Sequence, residues 1–372
     1  MMLADMGAEV IRIEAPNRPD MIRTLPPFDG EVSAWHGVLN RSKRSLALDL
    51  KKPGAADIVR RLINDGGYDI VIEQFRPGVM DRLGIGYESL RSANPGLIYC
   101  SITGYGQNGP LRDRAGHDIN FLSLSGVMSP SGQRESRPSP PNVQLADIGG
   151  GSFGALVGLL AAVIQRQVSG EGQQVDISMF DMMLAWQAHI FSPYLIGDEG
   201  AEREESQLGG DGYYDFYETA DGRYLSVASL EPKFWVTFCE AIGRSDLIEK
   251  GNDPDRKNKR ILKTEVRNVI AARTLADWVD LFATLDACVE PVLHMNEVLS
   301  HPQTKARKMV VNVPRADGGE QQQVGSPFRF SRGRVKYRHA GVKLGTHSHE
   351  VLAEIGYKPA DIEAFDLNGL LG

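Results

Sequence analysis

The segment Arg114-Ala-Gly-His-Asp-Ile-Asn sets His117 beside Asp118, directly behind Gly116. Imidazole changes charge near neutral pH, so a histidine here suits general acid–base work. Thirty residues on, Asp147 stands ahead of three consecutive glycines and the apolar run "SFGALVGLLAAVI". A carboxylate in that position meets opposing forces: helix-terminal N–H groups stabilise its charge, and apolar burial opposes ionisation. The same N–H groups are candidates for holding a developing oxyanion. Glu231, in "VASLEPKFW", lies at a strand-to-helix junction. It reads either as a helix N-terminal carboxylate or as a group that orients a catalytic histidine. Structural readings stand beside these: Asp147 as a helix N-cap, His117 as a hydrogen-bonded structural residue. Asp118 is expected to cap a helix starting near Ile119.

A second set is basic. Arg41, Lys43 and Arg44 in "NRSKRS", Arg76 in "FRPG" and Arg82 in "MDRLG" surround predicted loops on one side of a sheet. Guanidinium and ammonium groups so placed suit phosphates. No GxGxxG or Walker pattern occurs, which disfavours an ordinary dinucleotide or P-loop site. The three cysteines, Cys100, Cys239 and Cys288, are far apart and form no metal-type cluster or disulfide framework. No metal site is expected, and a reducing, cytoplasmic location is. The formal charge of −7 argues against a protein that coats nucleic acid. The apolar run Phe153–Ile164 is too short to span a bilayer, so a buried helix and no membrane partner are expected.

The elements that must position these groups alternate. Strand-like "EVIRIE", "SLALDL", "YDIVIEQF" and "GLIYCSITGYG" are separated by helical patterns such as "GAADIVRRLINDG". That alternation predicts an α/β fold with a parallel, doubly wound sheet, ligands binding beyond the carboxyl ends of its strands. From Gly210 the texture changes. "GYYDFYETADGRYLSVAS" predicts a hairpin turning at Asp221–Gly222, followed by a helix with Pro232 in its first turn. With 372 residues, 42% of them apolar, the chain is long enough for two domains or for one large α/β domain with an insertion. The expected boundaries are a large domain over 1–190, a linker over 191–212 and a small α+β domain over 213–300. Residues 301–372 then form a linker and a return to the large domain.

Taken in order, "LADMGAEVIRIEAP", "NRSKRSLALDL", "FRPGVMDRLGIGYE", "LIYCSITGYGQNGP", "AGHDIN", "LADIGGGSFGALVGLLAAVIQRQVSGEGQQVDISMFD" and "LGTHSHEVLAEIGY" resemble the class III CoA-transferase family. That family also contains the α-methylacyl-CoA racemases, and the resemblance covers essentially the whole chain. It implies a Rossmann-like large domain with a parallel sheet, a smaller α+β domain, and an interlocked homodimer. The active site would lie between the large domain of one subunit and the small domain of the other. It further implies that the usual opening strand is lacking here.

The resemblance also divides the chemistry. Transferases of the family use one aspartate, matched by Asp147, as a nucleophile that forms an acyl anhydride and then an enzyme–CoA thioester. Racemases keep that aspartate as an acid/base and add a histidine in "GHDIN" and a glutamate in an "EP" motif, matched by His117 and Glu231. The expected function is therefore racemisation or epimerisation of a 2-methylacyl-CoA by 1,1-proton transfer, with CoA transfer as the alternative and a non-enzymatic acyl-CoA-binding protein as a third reading. No cofactor is expected beyond CoA as part of the substrate. Arg76 and Arg82 are the expected phosphate contacts, joined by Arg41, Lys43 and Gly116. Ala15 stands where some racemases carry a CoA-binding arginine.

Overall fold

Apolar strands that alternate with amphipathic helices pair in parallel along the first part of the chain. The computed structural model describes residues 1–371 except 198, 199 and 201. Strand β1 (Ile11–Glu14) runs parallel to β2 (Arg44–Ala47), with Ile11 opposite Arg44 and Glu14 opposite Ala47. Strand β3 (Ile70–Glu73) pairs in parallel with β4 (Ile98–Thr103), and β5 (Gln174–Ser178) lies on the other side of β4. The expected single sheet is thus divided in two, because no strand among the described residues hydrogen-bonds to both pieces. The helix Ala55–Asn64 buries Ala55, Ile58, Val59, Leu62 and Ile63, the i, i+3, i+4, i+7, i+8 stripe of an amphipathic helix. Their core also holds Leu46, Leu97, Tyr99 and, from the far end of the chain, Val351 and Leu352.

The chain divides into two compact units. One is Met1–Asp113, Ser152–Ile177 and Asn296–Gly372; the other is Arg114–Gly151 and Ser178–Met295. Residues 114–151 and 178–190, read from sequence as part of the large domain, therefore group with the second unit. The physical reason is local, since the helix Asp118–Leu124 packs on the helix Met179–Trp186. The second unit is built on an antiparallel sheet of β6 (Asp215–Glu218), β7 (Tyr224–Val227) and β8 (Val289–Pro291), with β7 central. The β6–β7 turn carries Gly222 at φ 71°, the left-handed conformation a tight hairpin requires. Trp235, Phe238, Trp278 and Phe282 fill its core in a run of stacked rings.

A hairpin of β9 (Val310–Pro314) and β10 (Glu320–Val324) returns the chain to the first unit. There the backbone oxygen of Val324 accepts from Arg41 at 2.6 Å, and that of Val342 accepts from Arg23 at 2.9 Å.

The long apolar helix departs from expectation. Gly154–Ser169 buries Ala155, Leu156, Leu159 and Ala162 but exposes Val157, Leu160, Ile164 and Val168 on the other face. It continues directly from helical residues 145–153, giving a 25-residue stretch that by length and composition alone would suffice to cross a membrane. Core helices also reach that length.

Candidate active site

Asp147 lies in the segment Leu145–Phe153, which is wound as a wide π-helix rather than as the simple glycine turn expected. Such wide turns carry an extra residue per turn and recur at functional sites. The glycines explain how this one packs. A Cβ on Gly149 would sit 2.3 Å from the Trp186 indole, and one on Gly150 would sit 3.3 Å from Met179 O and the side chains of Met182 and Met183. At Gly149 hydrogen alone lets the helix Met179–Trp186 come this close, and at Gly150 a larger side chain would press its neighbours.

Asp118 ties the histidine to the aspartate. It opens its own helix, with His117 as the extended N-cap residue and Asn120 Oδ1 accepting from the His117 N–H at 3.0 Å. Its carboxylate does not serve that helix, as the sequence suggested. Oδ1 accepts instead from the backbone N–H of Ala146 at 2.7 Å and of Asp147 at 3.0 Å. The buried Asp118 thus caps the start of the π-helical segment. Of the N–H groups considered as oxyanion donors, that of Asp147 is already engaged by Asp118.

The electrostatics follow. Burial of the half-buried Asp147 pushes its acid above the usual carboxylate range, the Asp118 charge pushes the same way, and His117 opposes both. A carboxyl raised in this way, in the same unit as an imidazole, suits acid–base chemistry. His117 itself is exposed, and Gly116 before it is half-buried.

Glu231 is the exposed N-cap residue of the helix Pro232–Ala241, with Pro232 at the first helical position. Its carbonyl oxygen accepts from Phe234 and Trp235, and its charge adds to burial, the larger cause, in raising the acids of Tyr213 and Cys288. Among the described residues no hydrogen bond joins Glu231 to His117.

The basic residues separate into two groups. Arg76 and Arg82 are exposed, as a phosphate contact requires. Arg41 is not available. It is fully buried, its Nε and Nη2 bonded to Asp5 and its Nη1 to Gln323 and Val324, with the guanidinium over the Tyr337 ring. A buried charge persists only when paired in this way. Lys43 is partly enclosed and bonds Asn40 Oδ1 at 2.9 Å; burial first, then Arg12, brings its ammonium down to about 8. Arg44 pairs with Glu9, Glu350 and Glu354. In this fold Arg41 and Arg44 hold the chain together rather than await a ligand. Among the described residues no group of three or more His, Cys, Asp or Glu is arranged to hold a metal ion.

Comparison with known proteins matches the chain to one family. The model of CoA-transferase family III matches residues 1–348. The chain is 34% identical over 365 residues to human alpha-methylacyl-CoA racemase, covering 97% of this chain and 90% of that protein. It is 35% identical over 365 residues to a succinate–glutarate CoA-transferase of Agrobacterium fabrum (strain C58 / ATCC 33970), covering 95% and 90%. A crystal structure of a CAIB/BAIF family protein from Brucella suis superposes with a TM-score of 0.80 at 29% identity, over 95% of this chain and 93% of that one. The mixed α/β fold with parallel strands is theirs, and the chain belongs to CoA-transferase family III, a family of enzymes in which racemases and CoA-transferases both occur.

Proposed function

We propose that this enzyme racemises or epimerises 2-methylacyl-CoA thioesters by 1,1-proton transfer. The observation that carries the reading is the coupling of His117 to Asp147 through Asp118, two acid–base groups held in one unit with the Asp147 acid raised by burial. One group removes the proton next to the thioester carbonyl and the other returns a proton to the opposite face of the planar enolate. The balance is one proton out and one proton in, so the step needs no electron acceptor and CoA enters as part of the substrate. A raised carboxyl is suited to giving a proton as well as taking one. Arg76 and Arg82 would hold CoA phosphate.

Glu231 has the histidine-orienting role in this reading, supplied by a second copy of the chain. One observation supports the homodimer: Val157, Leu160, Ile164 and Val168 expose an apolar ridge that a partner would cover.

Incubating 2-methylacyl-CoA thioesters in deuterated water tests the reaction. The wild-type enzyme is expected to exchange the α-proton, and His117→Ala or Asp147→Ala to lower the rate by about 10²–10⁴-fold. Exchange at the wild-type rate in both variants would sink the mechanism. A second reading, CoA transfer with Asp147 as nucleophile, is favoured by the 35% identity to the succinate–glutarate enzyme. There the Asp147 carboxylate adds to the thioester carbonyl and the adduct expels CoA as thiolate, leaving a mixed anhydride; the thiolate then attacks the Asp147 carbonyl of that anhydride, forming an Asp147–CoA thioester and releasing the donor acid as its carboxylate. Trapping that thioester, with turnover dependent on a second carboxylic acid, would establish this reading instead.

A further inference from the structure

Two guanidinium groups from different loops converge on Gly78. A Cβ placed there would lie 3.5 Å from Arg82 Nη1 and 3.9 Å from Arg112 Nη2, so the two nitrogens are separated by at most the sum of those distances. Two N–H···O bonds of about 2.8 Å to different oxygens of one phosphate bridge a gap of that size. Gly78 adopts the left-handed φ of 77° and puts no side chain between the two cations.

Among the described residues neither cation has a carboxylate closer than 3.7 Å. Among the described residues Arg82 has no ion pair, and Arg112 has only its exposed neighbour Asp113 at 3.7 Å. Arg82 comes from the short helix after β3 and Arg112 from the loop after β4, the carboxyl ends of two adjacent parallel strands. That is where ligands bind in such sheets. Both loops are fixed to their strands. Phe75 N–H bonds the buried Glu73 carboxylate at 2.7 Å, Gly106 N–H bonds Thr103 Oγ1 at 2.9 Å, and Gln107 N–H bonds Asp176 at 3.0 Å. The two like charges are therefore brought together by pinned loops, and among the described residues the exposed Asp113 beside Arg112 is the one carboxylate paired with either.

We infer that Arg112 is a further phosphate-binding residue, which closes with Arg82 over Gly78 on a phosphate of coenzyme A. The inference rests on the CoA-thioester reading above and adds to it a residue that the "FRPG" and "MDRLG" motifs do not contain.

Calorimetric titration with CoA and with dephospho-CoA tests it without any turnover. Arg112→Ala is expected to weaken CoA binding about 10- to 100-fold, the worth of a charge-assisted hydrogen bond, and Arg112→Lys to lose less. The thermal midpoint should not move, because the side chain is exposed. A loss seen equally with dephospho-CoA assigns the pair to the diphosphate, and a loss seen only with CoA assigns it to the 3′-phosphate; either supports the inference. Wild-type affinity for CoA in Arg112→Ala overturns it while leaving the proposed function standing. Failure of the wild-type protein to bind CoA overturns both.

Discussion

Asp118 carries no proton in the proposed reaction, yet two backbone hydrogens of the Asp147 segment depend on its carboxylate. Its charge also helps to hold the Asp147 acid up, after burial. Asp118→Asn keeps an acceptor oxygen and removes the charge. The pH–rate limb that follows ionisation of Asp147 is then expected to move to lower pH, with the maximal rate little changed. Asp118→Ala also removes the tie, and kcat should fall by on the order of 10²-fold as Asp147 loses its position. A pH profile identical to wild type in Asp118→Asn would show that the coupling has no role. The chemical types of His117 and Asp147 were legible in the sequence because an imidazole and a pre-glycine carboxylate announce themselves. The role of Asp118 was not, since the N–H groups it caps lie about thirty residues away. Arg41 misled for a related reason: a guanidinium reads the same whether a phosphate or a buried Asp5 waits for it.

At the scale of elements, hydrophobic periodicity located the parallel strands, the hairpin and the amphipathic helices to within a few residues. It could not reveal the π-helical winding of residues 145–153. One wide segment leaves no repeat to read, and three glycines suit a turn as well as a helix. Against that segment packs the helix Met179–Trp186, close to Gly149 and Gly150. Gly149→Val should therefore cost about 1–3 kcal/mol through overpacking against Trp186, read as a drop of several degrees in the thermal midpoint. Adding Trp186→Ala should recover most of that loss. If the double variant is no more stable than Gly149→Val alone, the contact is not what limits the site.

For the whole molecule, alternation of strand and helix was enough to read the α/β class. The division into units was not, because it depends on which helix faces residues 114–151 find. Nor does an apolar run disclose which of its faces stays uncovered, as Val157 and Val168 do here. The proposed dimer gives that face a partner and makes a sharp claim about catalysis. Chains inactivated by His117→Ala and by Glu231→Ala, co-expressed, are expected to recover about a quarter of wild-type activity, since half the dimers are hybrids with one intact site of two. No recovery would place both residues in the same chain's site. The way the chain returns also bears on its synthesis. The buried Arg41 must wait for Gln323 and Val324, 282 and 283 residues later, and His36 for Val342, 306 residues later. Most of the second unit, Ser178–Met295, is complete before any of these emerges. The inner unit is thus free to fold on the ribosome first, while the early strands stay unfinished and exposed to aggregation until the last segment arrives.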